Sequence, residues 1–228
     1  MSKRIAEYYD PIQASEYELR RNDSVWQSEI ESFRSLLDFV REKLKKESLT
    51  IFDLPCGTGR WIPFVDRYIK QYMGVDVSVN MLNEAKKKIL SLDQSRSSCY
   101  QLLTSSYHDL LEHSGERYDL VICTRFLPHF DMPEVDEILE VLRKKTDGYA
   151  ILMVRTAETS WQLLVENILF IANNPLRAIK RWRKSGRISN SKRRSCYSGA
   201  IKKAGFSLVE QRCVHRYRHS TFEYWLLC

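Results

Sequence analysis

The chain has 228 residues, of which 43% are hydrophobic and 29% are charged, and its formal net charge is +7. This length and composition suit one α/β domain with a modest addition and a real hydrophobic core. No apolar run reaches the length of a membrane span, and residues 1–6 lack the apolar core of a signal peptide. We therefore expect a cytoplasmic protein without a transmembrane segment.

The cysteines argue against a metal or redox site. None of them forms a C-x-x-C pair, which speaks against a zinc site or a dithiol. Several lie in apolar, strand-like runs, where cysteine usually acts as a small hydrophobe. They occupy positions 56, 99, 123, 196, 213 and 228. We expect reduced thiols and no bound metal.

Positive charge is concentrated in residues 177–218. This segment contains 14 Lys and Arg residues and one acid, Glu210, so it carries +13 and the remainder of the chain carries −6. Three interpretations are open. The segment forms a solvated face, it attracts an anionic substrate or a nucleic acid, or it makes peripheral contact with an anionic membrane.

Residues 1–47 form an N-terminal arm and a helix. Residues 1–23 are polar and carry Tyr8, Tyr9 and Tyr17. Ser24 is a suitable N-cap for a long amphipathic helix. One face of that helix carries Trp26, Ile30, Phe33, Leu37, Val40 and Leu44.

Strands and helices alternate through residues 48–156. We predict strands at 50–54, 72–77, 99–104, 118–123 and 148–154, and helices at 59–70, 80–92 and 133–145. Pro133 suits the first turn of the last of these helices. Such alternation is typical of a parallel sheet that is covered by helices on both faces.

Residues 157–194 interrupt this alternation. An apolar helix at 160–172 precedes a short basic helix at 176–184 and a polar loop at 186–194, and the chain ends with a helix at 195–204 and strands at 206–214 and 221–227. We predict a single domain over residues 1–228. A basic helical lid (157–194) follows the fifth strand, and residues 195–228 form the closing helix and strand hairpin.

The most informative stretch is Ile51-Phe52-Asp53-Leu54-Pro55-Cys56-Gly57-Thr58-Gly59. An apolar run that ends in an acid and a Gly-x-Gly turn is typical of a buried strand leading into a ligand-binding turn. The glycines let the backbone approach a bulky ligand because no Cβ intervenes. About 20 residues later, Gly74-Val75-Asp76 ends in a second acid, where the next strand would place a carboxylate over a ribose.

These two motifs resemble those of class I S-adenosylmethionine-dependent methyltransferases. In that family D-x-G-x-G-x-G is followed by an acid closing the second strand, often within D-x-S-x-x-M-L. Here the second motif reads Asp76-Val77-Ser78-Val79-Asn80-Met81-Leu82, and Pro55 replaces the first glycine of the first motif. A fuller G-x-G-x-x-G, typical of NAD-binding Rossmann proteins, is missing. The resemblance covers roughly residues 45–155. It implies a Rossmann-like, seven-stranded, mostly parallel sheet with a reversed last hairpin.

The resemblance also implies a site for S-adenosylmethionine. Asp53 would lie near the amino acid part of this cofactor, the Gly57–Gly59 backbone beneath the nucleoside, and Asp76 on the ribose hydroxyls. Ser106 stands where the family often has an acid for the adenine amino group, so backbone groups or Asp109 would take that role. The expected cofactor residues are Asp53, Pro55, Gly57, Thr58, Gly59, Asp76, Val77, Met81, Ser106, Tyr107, His108, Thr124 and Arg21.

His129 and Arg125, in the loop after the fourth strand, are candidates for catalysis. Many relatives have a histidine at the place of His129, which is either a general base for the acceptor or a packed or capping residue. Arg125 either holds an anionic group of the substrate or forms a salt bridge with a neighbour.

The arm and the insertion are expected to close over the site. The arm tyrosines would cover the cofactor and Arg20 or Arg21 would meet its carboxylate, or these aromatic residues would only dock the arm. Trp161, Phe170 and Trp182 would line the acceptor pocket, or would simply pack the lid helix.

We expect an enzyme that moves a methyl group to an oxygen or nitrogen of a small or medium-sized anionic acceptor, such as a metabolite, a sugar or a lipid head group. One alternative is an RNA or DNA methyltransferase that uses the basic segment. Against it, the fourth strand ends in Cys123-Thr124-Arg125-Phe126 rather than in N-P-P-Y or D-P-P-Y. The other alternative is a non-catalytic sensor or scaffold that binds S-adenosylmethionine. The oligomeric state stays open.

Overall fold

A computed structural model describes residues 11–16, 24–92, 94–111, 115–157, 159–173, 175–176, 178–179, 182, 191–216 and 220–228. The strands within these ranges are β1 (Leu49–Asp53), β2 (Ile69–Asp76), β3 (Tyr100–Thr104), β4 (Tyr118–Cys123), β5 (Thr146–Ala157), β6 (Lys192–Arg193), β7 (Leu208–Arg216) and β8 (Thr221–Leu227). The α-helices are α1 (Pro11–Glu16), α2 (Ser24–Leu44), α3 (Ile62–Val65), α4 (Val79–Ser91), α5 (Tyr107–Leu111), α6 (Met132–Lys145), α7 (Ser160–Asn173) and α8 (Arg194–Lys203).

The strands form one sheet in the order β3-β2-β1-β4-β5-β8-β7. Strands β1 to β5 are parallel, and β8 runs antiparallel between β5 and β7. All seven predicted strands are present, and the expected mostly parallel sheet with a reversed last hairpin is confirmed, although a short extra strand, β6, brings the number within the described ranges to eight. The sequence did not predict β6, which pairs with the end of β5 at Thr156 and Ala157.

Two hydrophobic clusters cover the two faces of the sheet. Alternation along β1 sends Ile51 to one cluster and Phe52 to the other, as expected for a strand that is buried on both sides. The Ile51 cluster includes apolar residues of α2, α3 and α4, and the Phe52 cluster includes those of α5, α6 and α8. The predicted layering, with helices on both faces, is confirmed.

Helix starts follow from local sequence. Asp131 caps α6 in a reciprocal capping box with Glu134, and Pro133 lies in the first turn as predicted. Ser78 caps α4 by accepting a hydrogen bond from the Met81 amide.

No helix within the described ranges is both long and apolar enough to span a membrane.

The predicted helix at 59–70 is wrong. Gly59 has a positive φ of 69°, which a right-handed helix does not accept, so α3 begins only at Ile62, next to Pro63. A 3₁₀ turn at Asp66–Tyr68 ends the segment, and Ile69 already belongs to β2. The result is a compact turn that keeps residues 57–61 close to the sheet.

Candidate active site

The candidate site lies where the strand order reverses. β1 pairs with β2 on one side and with β4 on the other, so the chain leaves the sheet in opposite directions at this point. In open α/β sheets, ligands bind outside the carboxyl ends of the strands at such a switch point. The Leu54 amide bonds the Ile122 carbonyl, and the Cys56 amide bonds the Val75 carbonyl. The turn after β1 thus spans the ends of three strands.

Both glycines of this turn have left-handed backbone angles. Gly57 has φ 55° and Gly59 has φ 69°, and these angles favour glycine. A Cβ on Gly59 would lie 2.6 Å from Cδ1 of Ile62 and 3.0 Å from Cβ of Ala85. Gly59 therefore lets the turn pack against α4. A Cβ on Gly57 would meet a single atom within 4 Å among the described residues, the Met81 methyl at 3.4 Å. Gly57 leaves open space above the turn.

Asp76 ends β2 and holds the turn in place. Its carboxylate accepts hydrogen bonds from the Gly57 amide at 3.0 Å and the Ser78 amide at 2.9 Å. Burial raises the pKa of this carboxyl, and the bonds from the backbone amides oppose that rise. The two sequence motifs are thus joined directly, because the acid of the second fixes a glycine of the first.

Asp53 ends β1 and is fully buried. One carboxyl oxygen accepts a hydrogen bond from the Tyr72 hydroxyl at 2.7 Å, whereas the other, Oδ1, is buried without a partner among the described residues. Burial, with a smaller contribution from the charge of Asp76, raises the pKa of Asp53 to about 8, although the hydrogen bond from Tyr72 opposes this rise. An unsatisfied buried oxygen is costly and therefore needs an explanation. A cationic ligand group beside Oδ1 would satisfy it.

The turn after β3 lies beside Asp76, because the Ser105 amide bonds the Asp76 carbonyl at 3.1 Å. Asp109 accepts hydrogen bonds from the amide and the hydroxyl of Ser106, at 3.0 and 2.8 Å. These bonds lower the pKa of the Asp109 carboxyl. Asp109 thus closes the turn at the start of α5. Ser106 is buried in this turn.

Tyr107 and His108 follow Ser106 but face different surroundings. Tyr107 is buried against the rings of Phe126 and Phe130, which come from the loop after β4. His108 is exposed and its Nδ1 lies 3.7 Å from a carboxyl oxygen of Glu137. Tyr107 therefore connects the adenine end of the expected cofactor site with the expected acceptor side.

The loop after β4 is anchored by a buried ion cluster that the sequence alone did not predict. Glu29 of α2 is 1% exposed and pairs with both Arg60, at 3.0 Å, and Arg125. Arg60 also lies over the Trp26 ring, with 3.7 Å between the guanidinium carbon and the ring centroid. Arg125 has a positive φ of 55°, which is uncommon for a residue with a side chain. Of the two expected roles for Arg125, the structure contains the salt bridge.

Local signals for this cluster exist but are faint. Glu29 lies on the buried face of α2, three residues after Trp26 and four before Phe33, where an acid is unusual. A buried acid on an apolar helix face therefore indicates that a partner exists, but it does not identify that partner.

Thr124, in the same loop after β4, is also held in place, because its hydroxyl accepts a hydrogen bond from the indole of Trp61 at 2.9 Å.

His129 lies in a 3₁₀ turn, Leu127–His129, and its side chain is exposed. Its role as a base therefore stays a prediction. Trp161 and Trp182 are 69% and 59% exposed, so in this structure they do not line a closed pocket. Arg21, Arg20 and the arm tyrosines lie outside the described residues. The described part of the arm, α1, packs against α4.

Residues 52–146 match the family model described as a methyltransferase domain. Residues 52–146 form a methyltransferase domain. A methyltransferase of Schizosaccharomyces pombe, itself described as uncharacterized, is 32% identical over 107 residues, which are 44% of this chain and 37% of that protein. The match thus spans little more than a third of this relative's length.

Solved methyltransferase structures share the fold over most of the chain. The magnesium protoporphyrin IX methyltransferase of Synechocystis PCC 6803, with bound S-adenosylhomocysteine (SAH), is 16% identical to this chain. Its TM-score is 0.73, and the match covers 100% of this chain and 99% of that one. The N-methyltransferase NodS of Bradyrhizobium japonicum is 12% identical, with a TM-score of 0.58 over 88% of this chain and 96% of that one. The methyl donor is S-adenosylmethionine, abbreviated SAM, which is bound in a second structure of the Synechocystis enzyme.

The residues of the switch point fit this cofactor. A ligand with an ammonium group would satisfy the orphaned Oδ1 of Asp53. The open space above Gly57 admits a bulky group that any side chain would obstruct. Within the described ranges, no cluster of three or more His, Cys, Asp or Glu residues could hold a metal ion.

Proposed function

We propose that the protein transfers a methyl group from S-adenosylmethionine to an oxygen or nitrogen of a small or medium-sized anionic acceptor, such as a metabolite, a sugar or a lipid head group. The observation that carries this proposal is the arrangement at the switch point. Two buried acids, Asp53 and Asp76, flank a turn whose glycines have left-handed backbone angles. A purely structural turn would not need an acid with an orphaned oxygen.

Each cofactor contact is assigned to a side chain or backbone segment. Oδ1 of Asp53 would accept a hydrogen bond from the ammonium of the amino acid part. The carboxylate of Asp76 would accept from the two ribose hydroxyls, since a carboxylate suits a vicinal diol. The backbone of 57–59 would lie beneath the nucleoside, with Val77 and Met81 beside it. Residues 106–108 would surround the adenine.

Catalysis by this chain would consist mainly of alignment. When bound, the cofactor supplies a methyl group that is already activated on a positively charged sulfur. The protein must hold the acceptor atom in line with that methyl group and exclude water. Thr124 and Arg125 lie directly after β4, at the switch point. His129 would accept the proton of an acceptor whose hydroxyl or amine must lose one.

Two observations favour an anionic acceptor. The segment 177–218 carries +13, which raises the local concentration of anions. The ion cluster of Glu29, Arg60 and Arg125 contains two arginines and one glutamate, so it retains a net positive charge beside the expected acceptor. Arg125 is the more accessible of these two arginines, at 26% side-chain exposure against 9% for Arg60.

Methyl transfer from radiolabelled SAM into fractionated cell extract tests this proposal. We expect label in small molecules that an anion exchanger retains, and no label with an Asp76→Asn variant that still folds. Nuclease-sensitive label would instead support the nucleic-acid alternative. SAM binding without transfer into any fraction would support the sensor or scaffold.

A further inference from the structure

Helix α7 presents an apolar stripe to solvent. Trp161, Leu164, Ile168 and Ile171 recur at helical spacing, so they share one face. They are 69%, 47%, 52% and 42% exposed. Among the α7 residues whose side chains the structure describes, none is buried. The helix therefore adds little to the core, although one charged residue, Glu166, occurs in its fourteen.

The exposed apolar surface continues beyond the helix. Leu176, Ile179 and Trp182 are 82%, 49% and 59% exposed. Ala178 between them is 3% exposed, so the segment touches the protein at that point and still turns its large apolar side chains outward. Contiguous exposed apolar surface of this kind marks an interaction site in a soluble domain.

The sequence around these residues supplies positive charge. Residues 176–188 include six basic residues and no acid. These are Arg177, Lys180, Arg181, Arg183, Lys184 and Arg187. Leucine, isoleucine and tryptophan beside a run of cations are the composition of a segment that lies in the interface of an anionic bilayer.

Other occupants fit less well. A second copy of the chain would bring an equally basic segment to the contact, and like charges would repel. A nucleic acid would meet the cations but would leave the aliphatic side chains of α7 uncovered. We infer that α7, together with Leu176, Ile179 and Trp182, forms a docking surface for an anionic lipid bilayer.

This inference does not rest on the proposed function, because docking requires neither cofactor nor acceptor. If both hold, they have a joint consequence. α7 starts three positions after the end of β5, so the docked surface adjoins the carboxyl edge of the sheet, where the site lies. An acceptor with a lipid head group would then be within reach at the membrane surface.

Sedimentation of the full chain with vesicles tests the docking surface. Vesicles of phosphatidylglycerol and phosphatidylcholine are compared with vesicles of phosphatidylcholine alone, without SAM. We expect binding to the anionic vesicles. Neutral lipid or high salt removes the electrostatic attraction of the basic residues, and each residue affected in this way should lower the affinity for the vesicle about fivefold. Tryptophan fluorescence should shift to the blue as the indoles leave water.

Matched variants identify the contact. Trp161→Ser combined with Ile168→Ser should lower the partition coefficient at least about tenfold, since two large apolar side chains no longer enter the interface. Leu90→Ser, which changes an equally exposed residue on α4, should leave it unchanged. Both variants alter surface positions, so circular dichroism should report an intact fold.

Three results would overturn the inference. One is the absence of binding to anionic vesicles. Another is binding to anionic vesicles that the double variant does not weaken, together with tight binding to an RNA homopolymer that it also leaves unchanged, because the cations would then act alone. The third is a concentration-dependent dimer that the double variant abolishes, because the stripe would then be covered by a second copy.

Discussion

Asp53→Asn should make the protein more stable at neutral and alkaline pH while weakening cofactor binding. The amide of the variant side chain would still offer an oxygen to the Tyr72 hydroxyl, which donates to Asp53 at 2.7 Å. That amide would not have to ionise in a fully buried position. The same substitution removes the negative charge that we assign to the ammonium of SAM.

The magnitude follows from the pKa of Asp53, which is raised from 3.8 to about 8 by burial. Between these two values the folded state retains a proton that the unfolded state has released, so stability falls as pH rises. Each pH unit corresponds to about 1.4 kcal/mol, which gives an upper limit of about 4 kcal/mol between about pH 5 and about pH 8. Water that reaches the carboxyl lowers this figure.

Urea unfolding of the wild-type chain and Asp53→Asn at both pH values measures this effect. We expect the free energy of unfolding of the variant, relative to wild type, to rise by a few kcal/mol from the lower to the higher pH. Asp38→Asn is a suitable control, because Asp38 is a surface carboxyl with 63% side-chain exposure. Parallel pH profiles for Asp53→Asn and wild type would refute the reasoning.

Cofactor binding should displace the proton that the Asp53 carboxyl carries at neutral pH. At neutral pH, binding of SAM should release about one proton from the wild-type protein and none from Asp53→Asn, because the ammonium favours the ionised carboxyl. Titration calorimetry in buffers of different ionisation enthalpy measures this number. Equal proton release by the two proteins would remove Asp53 from the ammonium contact.

Three further predictions concern the turn and the loop after β4. Glu29→Gln should lower the free energy of unfolding by about 3–5 kcal/mol, because it leaves two arginines without their buried partner, whereas the exposed Glu31→Gln on the same helix should change little; equal losses would contradict this. Gly57→Ala should lower the free energy of unfolding by about 1–2 kcal/mol because of its left-handed backbone angle. Gly59→Ala should lower it by about 1–3 kcal/mol more than Gly57→Ala, because its Cβ would also make close contacts. Equal midpoints of urea unfolding for the two variants would argue against the packing role of Gly59. His129→Ala should lower kcat by about 10²–10⁴ with the Kd for SAM unchanged; a lower Tm at full kcat would make His129 structural.

Local sequence was sufficient for seven of the eight described strands and for the positions of Asp53 and Asp76 at strand ends. The strands at 118–123 and 221–227 have the predicted bounds, since each is a mostly apolar run. Asp53 and Asp76 end adjacent strands as their spacing indicated. Periodicity and motif spacing are local signals, so they can be interpreted without knowledge of the tertiary contacts.

Long-range pairs were not predictable in this way. The contact between Glu29 and Arg125 joins residues 96 positions apart, and no local pattern specifies such a partner. The hydrogen bond from Tyr72 to Asp53 depends on side chains of neighbouring strands and was likewise missed. The length of α3 was overestimated because the pattern of apolar residues after Gly59 resembles a helix. The left-handed backbone angle of Gly59 and its close approach to α4 are not visible in that pattern.

The most direct test of the account is isothermal titration of the purified protein with SAM and S-adenosylhomocysteine, with NAD as the control ligand and Asp76→Asn as the control variant. The account predicts micromolar binding of the first two ligands, no binding of NAD, and a loss of about 1–3 kcal/mol in the variant. No binding of either adenosyl ligand to a folded protein, or unchanged affinity in Asp76→Asn, would contradict the assignment of the switch point as a cofactor site.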